Sequence, residues 1–83
     1  MVEFRLQVLV RLREGVLDVQ GKTIEQSLRD SPYLPLGSDI RVGKLIELTV
    51  TADSEQDALD KAGVLCESLL SNPVIETYEI KKV

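Results

Sequence analysis

The stretch Asp39–Thr51, DIRVGKLIELTVT, constrains the fold more than any other. Ile40, Val42, Ile46, Leu48 and Val50 fall on one parity, with Arg41, Glu47, Thr49 and Thr51 on the other. Period-2 alternation is the mark of a strand with one buried face. Gly43-Lys44 interrupts it, putting a flexible residue and a charge where the apolar row should continue. As one strand the segment would span roughly 40 Å at about 3.3 Å per residue. A compact domain of this size has a radius of gyration near 12 Å, so it is roughly 30 Å across. The strand is too long for its own domain. Either it turns at Gly43-Lys44, or it projects and is covered by another chain.

The chain of 83 residues makes a single domain, 1–83, near the lower end of what folds alone. Its core must be thin, and association would be a natural source of added stability. Ten basic residues are scattered among fourteen acidic ones, for a net charge of −4, which disfavours a general nucleic-acid binder. Without histidine, no Ser-His-Asp or Cys-His relay can be built. The single cysteine excludes an intramolecular disulfide and any multi-cysteine metal site. A free thiol and the lack of a signal peptide or membrane-length apolar run point to a cytoplasmic protein.

Residues 2–12 alternate with Val2, Phe4, Leu6, Val8, Val10 and Leu12 on one side, which predicts a half-buried strand ended by Gly15. Asp18 is a good N-cap for a helix in which Ile24 and Leu28 share a face, with Thr23/Gln26 as a later alternative start. Gly21 would weaken that helix by roughly 1 kcal/mol against alanine, so it suggests a close backbone approach or a helix beginning after it. Pro32 ends the helix by Ser31. Residues 32–38 read as a loop, with Tyr33 and Leu34 folded back on the core edge.

Asp53 followed by Gln56 offers a capping box for a second helix, whose stripe is Ala58, Leu59, Ala62, Leu65, Cys66, Leu69 and Leu70. It should stop at Asn72-Pro73, asparagine being able to take the left-handed conformation. Val74–Val83 is rich in strand formers, and Lys81-Lys82 suits a sheet edge. The order is β-α-β-α-β, or the ferredoxin-like β-α-β-β-α-β if the chain turns at Gly43-Lys44. Either gives an α+β fold with two helices on one face of a mostly antiparallel sheet.

No constellation carries chemistry. Cys66 lies on the apolar stripe and reads as a small buried hydrophobe rather than a nucleophile. The acidic residues form no convincing buried pair, and the glycines match neither a dinucleotide fingerprint nor a P-loop. Arg41 and Glu47 read as a solvated strand face, and Asp18 with Gly21 as an ordinary cap and tight turn. Lys44 occupies the buried parity, which places it at a seam where it could meet a partner's carboxylate.

Three blocks, VLDVQG at 16–21, IRVGK at 40–44 with LIELTV after it, and CESLLSNPVIETY at 66–78, resemble the small subunit of phosphoribosylformylglycinamidine (FGAM) synthase, the PurS family. They stand in the family's order and spacing, and the resemblance covers essentially the whole chain. One departure is Val19, where the family usually has proline; it bears on helix entry, since proline there is pre-organised rather than reactive.

The resemblance implies a non-catalytic subunit of an ATP- and glutamine-dependent amidotransferase of de novo purine biosynthesis. In that scheme a glutaminase subunit releases ammonia, and a large subunit uses ATP and magnesium to activate the formamide oxygen. The small subunit bridges the two and aids ammonia transfer. Its implied partners are itself, as a homodimer or tetramer paired through the sheet, and the two larger subunits. No catalytic, cofactor-binding or metal-binding residue is expected in the chain, nor a nucleic-acid or membrane partner. The candidate subunit interface is Asp18, Gln20, Gly21, Arg41, Gly43, Lys44 and Pro73. A small-molecule-binding regulatory module with a ferredoxin-like dimer fold is the rival reading, supported by fold analogy alone. An autonomous enzyme ranks third.

Overall fold

Strand β1, Val2–Leu12, forms where the alternation is cleanest; its even-numbered side chains from Phe4 to Leu12 face the core, while Val2, expected with them, is exposed at the strand's start. Leu6, Val8 and Val10 are fully buried, while Arg5 and Arg11 lie on the opposite, open face. The computed structural model describes residues 1–32 and 39–83, so the expected loop contacts of Tyr33 and Leu34 lie outside the described residues.

The remaining elements follow in the order α1 (Val19–Arg29), β2 (Lys44–Ala52), α2 (Glu55–Leu65) and β3 (Glu76–Lys82). Among the described residues this is the β-α-β-α-β order, without an extra strand at Gly43-Lys44. The sheet runs β2-β1-β3, both pairings antiparallel, so β1 is central. Its register sets Leu6 against Leu48 and Val8 against both Ile46 and Ile80. β3 is an edge strand, and its Lys81-Lys82 charges disfavour further pairing there.

α2 lies on the even-numbered face of the sheet. Ala58 and Ala62 are fully buried against Leu6 and Val50, and small side chains at these positions let the helix approach closely. Cys66 joins Val8 and Val10 in the adjoining cluster, packed by Leu70, Tyr78 and Ile80. The helix widens into a π-helical turn over Cys66–Leu70, where the Ser71 amide and hydroxyl both donate to the Cys66 carbonyl at 3.0 and 2.8 Å.

Several boundaries differ from the sequence reading, each for a local reason. Ser54, not Asp53, caps α2: its hydroxyl accepts from the Asp57 amide at 3.1 Å, and Asp57 returns a carboxylate to the Asp53 amide at 3.2 Å. α1 starts at Val19 under the Asp18 cap, so the later Thr23/Gln26 start is not used. Asn72 is not left-handed; among described non-glycine residues only Asp39 has positive φ. Asn72 stops the helix through its oxygens, with Oδ1 accepting from Val74 and the carbonyl from Ile75 and Glu76. β3 therefore begins at Glu76, not Val74.

The long middle stretch bends. Ladder pairing holds from Ala52 back to Lys44, opposite Val10, and ends there. Continuing the register would set Val42 against Leu12, but the chain departs at Gly43. The molecule is elongated, 53 × 25 × 14 Å with a radius of gyration of 16.5 Å, against about 12 Å for a compact chain of this length. The geometric misfit is thus met by shape: the domain is as long as its strands require. α1 contributes little to the core, since only Gly21 among its residues is buried.

Candidate functional site

Asp18 organises the end of the molecule where α1 begins. As N-cap, its Oδ1 accepts from the Gly21 amide at 2.8 Å. Its Oδ2 accepts from the Val42 amide at 2.6 Å, reaching across to the segment that leads into β2. Arg41 Nε stands 3.9 Å from the same oxygen. These backbone donors, foremost Gly21 and then Val42, hold the Asp18 carboxyl below its ordinary range against its burial, with Arg41 adding to the effect. The side chain is 5% exposed and fully satisfied.

A side chain at Gly21 would collide with its surroundings. A Cβ would stand 2.5 Å from the Ile40 carbonyl oxygen and 2.8 Å from Asp18 Oδ2. A glycine at this position predicts either a close backbone approach or a later helix start; the structure has close approach. Gly43 meets the same demand on the other side, where a Cβ would lie 2.6 Å from the Val10 carbonyl oxygen.

Arg41 spans the turn between β1 and α1, donating to the Val16 carbonyl at 3.4 Å and the Arg13 carbonyl at 3.2 Å. Arg13 in turn donates twice to the Pro73 carbonyl, from Nε at 3.0 Å and Nη2 at 2.7 Å. Pro73, distant in sequence, is thereby connected to the same end of the molecule. Lys44, on the parity of Ile46, pairs with Glu76 of β3 at 3.7 Å within its own chain while remaining largely exposed. Gln20 is exposed on the first turn of α1.

The seven expected interface residues therefore form a connected region. Asp18, Gln20, Gly43 and Lys44 share a hollow of about 130 Å³ on the helix-covered face, with Val10 and Glu76. A larger hollow of about 450 Å³ opens on the other face between Leu9, Arg11, Arg41 and Leu45. Gly43 and Lys44 border both.

Three contributors were missed from sequence. Glu25 accepts from the Ile40 amide at 2.9 Å, Arg13 holds Pro73, and the mostly buried Glu76 faces Lys44 and accepts from the Asn72 amide at 2.6 Å. Glu25 had a usable signal, lying seven residues after Asp18 and so on the same face of α1. Arg13 and Glu76 had none, because both act across sixty or more residues or between strands whose register sequence does not give.

Chemically, the region offers backbone anchoring and charge pairing. Among the described residues no group of three or more His, Cys, Asp or Glu could hold a metal ion. Burial, with the Glu67 charge behind it, pushes the Cys66 thiol up, which disfavours the reactive thiolate. No helix among the described residues is long and apolar enough to cross a membrane.

A three-stranded antiparallel sheet covered by one helix, with a second helix tied at one end to the segment that leads into β2, defines a small α+β protein of elongated form. The family model described as "PurS: Phosphoribosylformylglycinamidine (FGAM) synthase" matches residues 5–83, and the chain belongs to this family. It is 39% identical over 80 residues to the phosphoribosylformylglycinamidine synthase subunit PurS of Thermotoga maritima, covering 96% of both chains. It is 40% identical over 83 residues to the corresponding Bacillus subtilis subunit, covering 96% of this chain and 95% of that one. Among solved structures, a chain of the "Structure of PurLQS from Thermotoga maritima" superposes with a TM-score of 0.90 at 38% identity, each chain covered completely. The Methanocaldococcus jannaschii PurS crystal structure gives 0.83 at 29% identity, covering 96% of this chain and 95% of that one.

Proposed function

We propose that the chain is the small, non-catalytic subunit of the FGAM synthase complex of de novo purine biosynthesis, a cytoplasmic, glutamine-dependent carbon–nitrogen ligase. It joins the glutaminase subunit to the large synthetase subunit, which uses ATP and magnesium, and it aids ammonia transfer between them. The observation that carries this reading is the end-to-end match to a chain of the Thermotoga maritima PurLQS structure. The absence of histidine and the raised pKa of the sole thiol accord with a supporting rather than a chemical part.

Self-association through the sheet belongs to the same proposal. The open face carries Leu9 beside Leu45, the latter 54% exposed, with Arg5–Glu47 and Arg11–Glu79 ion pairs around them. The connected region of Asp18, Gln20, Gly21, Arg41, Gly43, Lys44 and Pro73 is the proposed subunit interface. The regulatory-module alternative gains no support, since the curated relatives carry the name of the synthase subunit.

Reconstitution tests the proposal. The purified chain alone should show neither glutaminase nor synthase activity, and adding it to the two larger subunits should restore glutamine-dependent FGAM formation. Equal synthesis from glutamine without it would overturn the reading.

A further inference from the structure

Two carboxylates, the Asp18 cap of α1 and Glu25 within the helix, grip the segment entering β2 through amides two residues apart. Glu25 Oε1 accepts from Ile40 N at 2.9 Å, and Asp18 Oδ2 accepts from Val42 N at 2.6 Å. Amides at i and i+2 turned to one side are the pattern of extended backbone, in which the intervening amide points the other way. An adjacent strand would ordinarily receive such amides; here two side chains do. Asp18 and Glu25 stand seven residues apart, close to two helical turns, so α1 presents both from one face. Gly21, between them, brings the Ile40 carbonyl close to the helix backbone. The supports differ in construction. Glu25 divides its carboxylate between Ile40 and Lys22 Nζ, which is 3.6 Å away, whereas Asp18 gives each oxygen to a backbone amide.

We propose that Asp18 and Glu25 are positioning residues that replace a neighbouring strand along one edge of residues 40–42, fixing this segment as extended backbone within the single chain. Its opposite edge, including the Arg41 amide, is then set in advance for the subunit interface. That last use rests on the assembly reading above; the positioning itself does not. Neither residue need touch a partner. Within the proposed interface region Asp18, 5% exposed, then acts as internal support rather than as a direct contact, and Glu25 gains the same role.

The two sites predict different responses to amide substitution. Asn caps helices about as well as Asp, so Asp18→Asn can keep the bond to Gly21. It retains one carbonyl oxygen, however, and turns an amino group toward the second backbone donor at Val42. Glu25→Gln keeps an oxygen for the single amide that Glu25 serves. Hydrogen exchange of the intact chain, followed residue by residue by NMR below its association concentration, reads this directly. In Asp18→Asn the Val42 amide should exchange at least about tenfold faster, while β1 and α2 amides keep their wild-type rates. In Glu25→Gln the Ile40 amide should stay protected, and in Glu25→Ala it should lose protection. An unchanged Val42 rate in Asp18→Asn would overturn the proposal, as would acceleration spread evenly over the sheet. Sedimentation of the same variants reports on assembly separately, so loss of Val42 protection with normal self-association would remove this segment's edge from the interface and leave the positioning intact.

Discussion

The backbone of Gly21 packs against the carbonyl of Ile40 so closely that a Cβ on Gly21 would stand 2.5 Å from that oxygen. Alanine at a helical position ordinarily gains roughly 1 kcal/mol over glycine, so propensity and packing oppose each other here. Packing should win, because the obstructing atom is backbone and cannot rotate away. Gly21→Ala is expected to cost about 1–3 kcal/mol in urea unfolding. Gly63 in α2 is the control: nothing lies within 4 Å of its would-be Cβ, and Gly63→Ala should stabilise by about 0.5–1 kcal/mol. Two glycine-to-alanine changes of opposite sign would locate the close approach.

Asp18 should also mark the acid limb of stability. Its folded-state pKa is lowered, chiefly by the Gly21 and Val42 amides, so its contribution is present above the unfolded carboxylate value near 3.9 and is lost as pH falls through the lower folded value. Wild-type stability should therefore fall more steeply than that of Asp18→Asn as pH drops below about 4. The gap between the two curves, measured by urea unfolding from pH 7 to pH 3, should narrow with acid. Parallel curves would show that the carboxylate's protonation is not linked to folding.

Much of this geometry was legible in the sequence, in proportion to how local its cause is. The alternation in β1, the Asp18 cap and the apolar stripe of α2 are read from neighbours a few residues apart, and each is found in place except Leu69, which is 77% exposed within the π-helical turn that shifts the stripe's phase. Gly21 announced itself by its cost, whereas Lys44, though on the buried parity, is 65% exposed and meets a carboxylate of its own chain, Glu76. What the sequence could not display was where the 40–43 segment goes once it leaves β1. That path depends on Asp18 and Glu25 meeting amides 24 and 15 residues away, respectively. The displaced cap at Ser54 and the late start of β3 were ambiguities between adjacent hydrogen-bonding residues, which local propensity does not separate.

Cys66 offers a test of the core. The side chain is fully buried between α2 and β1, packed with Val8 and Val10. Its thiol should react with a disulfide reagent only as fast as the chain opens, and at full rate in denaturant. Cys66→Ser places a hydroxyl in this apolar setting and should cost about 1–3 kcal/mol. Rapid labelling of the native chain would contradict the packing.

Lys44 separates stability from assembly. Its ion pair with Glu76 is 3.7 Å long and the lysine side chain is 65% exposed, so solvent screens most of the attraction. Lys44→Ala should therefore change the unfolding free energy of the isolated chain by less than about 1 kcal/mol. At the proposed interface the same pair would be removed from water, and an unpartnered Glu76 carboxylate there would carry the cost of desolvation without its counter-charge. Sedimentation velocity should accordingly show weaker self-association, or weaker capture by the two larger subunits, in Lys44→Ala. Adding Glu76→Gln should recover part of the loss, because the neutral amide no longer needs the lysine. Wild-type assembly in Lys44→Ala would place Lys44 outside the interface and leave it as a solvated charge at the end of β2.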